Sequence, residues 1–197
     1  VNFGRFVHNT ANQVELFHHF ANNPRTIEIL ITLFAGSQFL TEILLRSPEY
    51  LERLSDHHRL ARVKNAEQFN SKARAAIIPL VRLSSADPSE PAALLDALRR
   101  FQRWELLRIG VSDLLDSFDL ITVTTQLSHL ADSLVRVCLT IAARQANVKP
   151  DDFVVIAMGK LGGQELNYSS DIDLLFLCGE NSARYQKLGQ NLIDSLA

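Results

Sequence analysis

Cysteine, long apolar runs and excess charge of one sign are all scarce in this 197-residue sequence, and each scarcity removes a class of protein. Two cysteines, Cys138 and Cys178, stand in apolar surroundings without C-x-x-C spacing, so neither a disulfide framework nor a zinc site is expected. Both read as buried thiols of a reducing cytosol, which places the chain in the cytoplasm. No apolar stretch reaches the roughly 18 to 20 residues of a membrane span, and no signal pattern opens the chain. A net charge of -2 gives no basic field to gather nucleic acid by counterion release, and three tyrosines are few for a base-stacking groove. Neither a membrane nor a polynucleotide is an expected partner. What remains is 47% hydrophobic and 21% charged, enough apolar material for a real core in one or two globular domains. Beginning at Val1, the sequence reads as a piece of a longer chain.

Up to about residue 149 the apolar residues recur at three- and four-residue spacings, the signature of helices. Pro24 can open a helix through Ile27, Leu30, Ile31 and Phe34 that stops at Gly36, and Ser37 caps the next, through Leu40, Ile43 and Leu44, up to Pro48. The run Ser84-Ser85-Ala86-Asp87-Pro88-Ser89-Glu90-Pro91 is the clearest loop. Long helices then follow from Ala92 and from about Thr122 to Ala146, and their apolar stripes require partners, as in a bundle. At Lys149-Pro150 the texture changes. Phe153 to Met158 and Ile172 to Leu177 are short continuous apolar runs that look like buried strands, and Ala183 to Leu196 is helical again. The fold expected is α+β and mostly helical: a helical region over residues 1–150, then the first part of an α/β domain over 151–197.

The chemistry concentrates in GKLGGQELNYSSDIDLLF. Glycines directly after a strand let the backbone turn tightly and approach a phosphate closely, and Gly162 and Gly163 are the candidates here. The spacing is neither G-x-G-x-x-G nor that of the P-loop. Asp171 and Asp173 stand at i and i+2 of an expected strand, so their carboxylates share a face and can hold Mg²⁺, with Mn²⁺ as a substitute. Ser169 and Ser170 can donate hydrogen bonds to phosphate oxygens. Asp171 and Asp173 are thus the candidate catalytic and metal-binding residues.

Other features carry a blander reading. Adjacent histidines, as in His18-His19 and His57-His58, point about 100° apart on a helix and lack a third ligand. Arg99, Arg100, Arg103 and Arg108 read first as a solvated basic face, Trp104 as core beside Phe101 and Leu107, and Glu165 as a helix-start acid.

The string GKLGGQELNYSSDIDLLF, with NPRTIEILITLFAGSQFLTEILLRSPEYLERL and ALRRFQRWELLRIGVSDLLDSFDL ahead of it, resembles the glutamine synthetase adenylyltransferase/adenylyl-removase family, a branch of the DNA polymerase β-like nucleotidyltransferases. Family members carry two catalytic units, and the ELNYSSDID wording is more similar to the N-terminal, AMP-removing one. The resemblance implies phosphorolysis of an adenylyl-tyrosine on glutamine synthetase to give ADP. The alternatives are transfer of AMP from ATP, or a regulatory fragment that binds glutamine synthetase or a PII-type signal protein. Asp171 and Asp173 would hold the metal, and Gly162, Gly163 and Ser170 the phosphate oxygens. The family's third carboxylate lies in a later Arg-rich strand that nothing after Leu177 resembles. The expectation is therefore a catalytic domain cut before its third acid, and a fragment inactive by itself.

Overall fold

The computed structural model describes residues 1–83, 90–179 and 182–197. The expected loop lies outside these up to Ser89. The described helices are α1 (Asn2–Asn9), α2 (Gln13–Asn22), α3 (Arg25–Gly36), α4 (Gln38–Arg46), α5 (Tyr50–Leu54), α6 (His57–Leu60), α7 (Ala66–Leu83), α8 (Glu90–Leu114) and α9 (Leu120–Ala146). Then come β1 (Phe153–Ala157), α10 (Gly159–Gly162), β2 (Leu174–Cys178) and α11 (Ser182–Leu196). The mostly helical α+β expectation is met, with one two-stranded antiparallel sheet among the described residues. Among the described residues no helix is long and apolar enough to cross a membrane.

The chain divides into two compact units, 1–63 with 103–123, and 64–102 with 124–197. In the first, local signals set the helix ends. Pro24 is the N-cap of α3, Ser37 ends that helix and its hydroxyl oxygen accepts from the Leu40 amide at 3.3 Å, starting α4. The α3 positions Thr26, Ile29, Leu30 and Leu33 form one buried stripe. Of these, Ile29, Leu30 and Leu33 join Leu44, Leu51, Leu54, Trp104 and Leu107 in a core. Each fully buried leucine there contributes roughly 1.5–3 kcal/mol. Trp104 is core as expected, edge-on to Tyr50 at 5.6 Å between ring centroids and with the Arg53 guanidinium 3.7 Å from its own.

Arg108 departs from the solvated-face expectation. It is 1% exposed, because residues 104, 107, 108 and 111 share the inward stripe of α8. Its Nε donates to Glu105 at 2.8 Å, and Nη1 donates to the carbonyls of Arg62 at 2.9 Å and Leu60 at 3.4 Å. The guanidinium thus caps the carbonyl at the end of α6, which it shares with the Ser112 hydroxyl, and one in the loop that follows. Arg99 is exposed and 3.6 Å from Asp96, as a solvated face requires. The ring of His19 is held by Ser55, 2.8 Å from Nε2, a polar contact between α2 and the end of α5.

In the second unit α11 packs Tyr185, Leu188 and Leu192 into a core with Leu98, Val137, Ile141 and Phe153. Phe153 stacks on Tyr185 at 5.7 Å and meets Phe176 at 5.4 Å, so one face of the sheet is covered. The other is not. Val154, Ile156, Leu175 and Leu177 are 54%, 36%, 46% and 50% exposed. The expectation of fully buried strands is corrected: an apolar run tells that a strand forms, whereas burial of both faces needs a second covering layer. Cys178 is corrected with it. It is the last residue of β2 and exposed, while Cys138 is buried in α9.

Candidate functional site

β1 and β2 pair from Phe153↔Cys178 to Ala157↔Leu174, and the ladder continues one step further, where the Met158 amide donates to the Asp173 carbonyl at 2.8 Å. Asp173 therefore has a strand-like partner although β2 begins one residue later. Asp171 and Asp173 are exposed and Ile172 between them is half-buried. Both acids thus precede β2, and the expectation that they stand at i and i+2 within a strand is corrected: Asp173 alone joins the ladder, through its carbonyl, and Asp171 lies in the loop ahead of it.

Between the strands the sixteen residues 158–173 reverse the chain, with only Met158 between β1 and α10. Gly159 takes φ +52°, and a Cβ placed on it would lie 2.9 Å from Asp173 Oδ2. Glycine there serves both the backbone conformation and the close approach of the carboxylate. A Cβ on Gly162 would lie 2.6 Å from the Ala157 carbonyl oxygen, so that position also has no room for a side chain. The amides of Gly162 and Gly163 donate to the carbonyls of Met158 and Gly159, each at 3.0 Å, closing α10. A backbone amide has one hydrogen, so what these two glycines offer a phosphate is a wall without side chains rather than free donors. Gln164 then ends the turn at φ +58°, with the Glu165 amide reaching back to the Lys160 carbonyl at 2.8 Å.

The approach to Asp171 is organised by a residue the sequence reading passed over. Asn167 Oδ1 accepts from the Ser169 amide at 3.1 Å and from the Ser170 hydroxyl at 2.7 Å. Its carbonyl accepts from the Ser170 amide at 3.3 Å, and its own amide donates to Ser170 Oγ at 3.3 Å. Asn ahead of a Ser-Ser pair is a turn signal that could have revealed this. Ser170 is thereby occupied in shaping the loop, whereas the Ser169 side chain is exposed. Gly159 opens the same glycine segment, and it is the one whose Cβ would meet Asp173.

Among the described residues no group of three or more His, Cys, Asp or Glu side chains could hold a metal ion. Two exposed carboxylates nevertheless suit a hard cation such as Mg²⁺, which is commonly held by one or two carboxylates while water and substrate phosphates fill its other positions.

The class these features define is a mostly helical α+β protein whose small sheet presents an Asp-x-Asp pair beside a glycine turn. The family model for glutamate-ammonia ligase adenylyltransferase matches residues 27–196. The chain belongs to that family. It is similar to the bifunctional glutamine synthetase adenylyltransferase/adenylyl-removing enzyme of Mannheimia succiniciproducens, 33% identical over 183 residues, 88% of this chain and 18% of the relative. The protein of the same description from Pasteurella multocida is 30% identical over 195 residues, 87% of this chain and 19% of the relative. That from Psychromonas ingrahamii is 29% identical over 211 residues, 91% and 22%. The chain spans about a fifth of the length of the curated relatives it matches.

Proposed function

We propose that this chain carries part of a nucleotidyltransferase site that removes AMP from glutamine synthetase, with glutamine synthetase as protein substrate and a PII-type signal protein as a regulator. The observation that supports the reading is the close approach of an acid to the glycine turn, with Asp173 Oδ2 only 2.9 Å from where a Cβ on Gly159 would stand, and Asp171, also exposed, two residues before it. In the reaction an oxygen of inorganic phosphate forms a bond to the adenylyl phosphorus, the bond from phosphorus to the tyrosine oxygen breaks, and that oxygen takes up a proton. The products are ADP and the free tyrosine hydroxyl. Such in-line chemistry depends on positioning and charge neutralisation.

Asp171 and Asp173 would hold Mg²⁺ or Mn²⁺, and that ion, when bound, supplies positive charge to the phosphoryl oxygens. The Ser169 hydroxyl is the donor proposed for a phosphate oxygen, with Ser170 available if it gives up Asn167. Gly162 and Gly163 keep side chains out of the space a nucleotide phosphate would occupy. The opposite direction, transfer of AMP from ATP with release of pyrophosphate, would use the same groups.

The test replaces the matching segment of the Mannheimia succiniciproducens relative with this chain and supplies adenylylated glutamine synthetase. Phosphate-dependent ADP release, reduced at least about 100-fold by Asp171→Asn with Asp173→Asn while ATP-dependent adenylylation persists, is the expected result. Loss of ATP-dependent adenylylation with AMP removal intact would replace this reading with the transferase. Both activities intact would leave the chain a binding fragment. The isolated chain, with two carboxylates, is expected to release no ADP, and measurable release would overturn that expectation.

A further inference from the structure

The two acids of the site are fixed by different means. Asp173 is tied to the sheet through the Met158 amide, as described above. Asp171 follows a segment, residues 163–170, that has no regular secondary structure and is mostly exposed. Its one buried residue is Leu166, 7% exposed. The Leu166 amide donates to Ser128 Oγ at 3.2 Å, across 38 residues of sequence. Ser128 is itself fully buried on α9, and its hydroxyl hydrogen goes to the Thr124 carbonyl at 2.8 Å. The hydroxyl is therefore oriented, its hydrogen committed along the helix and a lone pair turned to the loop. From Leu166 the chain passes directly into the Asn167–Ser170 hydrogen-bonded turn and then into Asp171.

We propose that Ser128 is a positioning residue for Asp171, acting through Leu166 and the Asn167 turn, and so ties helix α9 to the acid pair. This rests on the reading of Asp171 as a metal ligand. An outer residue that orients a ligand changes metal affinity by about 10- to 100-fold when removed. Ser128→Ala removes the acceptor while leaving the helix-forming backbone intact. Ser128→Thr retains it.

Two measurements on this chain test the proposal. The first is amide hydrogen exchange without metal. Ser128→Ala is expected to speed exchange from Leu166 to Asp171 and leave β1 and β2 unchanged, with Ser128→Thr restoring the parent pattern. The second is Mn²⁺ titration by electron paramagnetic resonance. Ser128→Ala is expected to weaken binding about tenfold alone and in the Asp173→Asn background, but to add nothing in the Asp171→Asn background, since it acts through that residue. An equal loss in both backgrounds, or unchanged exchange in the loop, overturns the proposal. If the parent chain binds no Mn²⁺, the metal reading of the acids fails, and the exchange data still decide whether Ser128 positions the loop. Should Ser128→Ala lose its helical circular dichroism, Asn167→Ala disrupts the same path without touching α9, and unchanged exchange at Ser169 to Asp171 in it overturns the path.

Discussion

Gly159→Ala is the sharpest perturbation of the acid pair, because two costs meet at one Cβ. The first is conformational: at φ +52° an L-residue pays about 1–2 kcal/mol for the left-handed region. For a chain of this size that corresponds to a melting-temperature loss of roughly 2–8 °C in the unit that holds the sheet. The second is steric. The new Cβ would stand 2.9 Å from Asp173 Oδ2, where ordinary contact begins at 3.4 Å, so the carboxylate must recede by about 0.5 Å, the difference of the two. Metal–ligand distances are tolerant to only about 0.2 Å, and a Mn²⁺ affinity loss on the order of tenfold follows. Gly159→Asn separates the terms. Asparagine tolerates the left-handed region but carries the same Cβ, so it is expected to recover most of the melting temperature and none of the affinity. Gly163→Ala is the control, since its backbone is helical and its Cβ would meet the flexible end of Glu165 at 3.2 Å and the Gly159 carbonyl oxygen at an ordinary 3.6 Å. Thermal circular dichroism and Mn²⁺ titration by electron paramagnetic resonance read the two effects. A Gly159→Ala variant that melts within about 1 °C of the parent and binds Mn²⁺ within twofold of it would refute the reasoning.

Glu105→Ala removes the carboxylate that pairs with the buried Arg108 and is expected to cost about 3–5 kcal/mol, read by the fluorescence of the single tryptophan, Trp104, during denaturant unfolding; a shift below about 1 kcal/mol would show that this ion pair is not needed to hold the guanidinium. Burial raises the Asp132 carboxyl above its ordinary range, against the pull of Arg136 and His129. A raised folded value means the folded chain holds this proton more tightly than the unfolded one, so stability falls as pH rises from the ordinary aspartate range through the raised value. Asp132→Asn is then more stable than the parent at neutral pH, and the difference closes in acid; equal melting temperatures across that range would contradict it. Burial pushes the Cys138 thiol up to about 11, while Cys178 is exposed. One fast-reacting thiol per chain is expected at pH 8, with Cys138 reacting only after denaturant is added, and two fast equivalents would contradict the placement of Cys138.

What was legible in the sequence is what short-range physics decides. Pro24, Gly36 and Ser37 set helix ends because caps and stops act within one turn, and the α3–α4 junction falls where they put it. The Asp-Ile-Asp alternation is equally local, and the exposure of the two acids follows it. Residues whose fate depends on a distant partner were misread. Arg108 looked like one of four arginines on a wet face, yet it occupies the Trp104–Leu107–Val111 stripe, and the stripe outweighs the charge because Glu105 and two carbonyls were waiting to pair with it. The same limit governs the site. Glycine spacing announced a turn but could not say which glycine meets Asp173, since that depends on the β1–β2 register, and the register brings Asp173 beside Met158 and hence beside Gly159. Nor could spacing show that the Gly162 and Gly163 amides are consumed by α10 itself. The acid pair is therefore encoded twice: once in the D-x-D wording, readable at a glance, and once in a set of contacts from Gly159, Asn167 and Ser128 that exists only when strand, loop and α9 come together. The first names the carboxylates proposed to bind a cation; the second is the set of contacts proposed to fix where they stand.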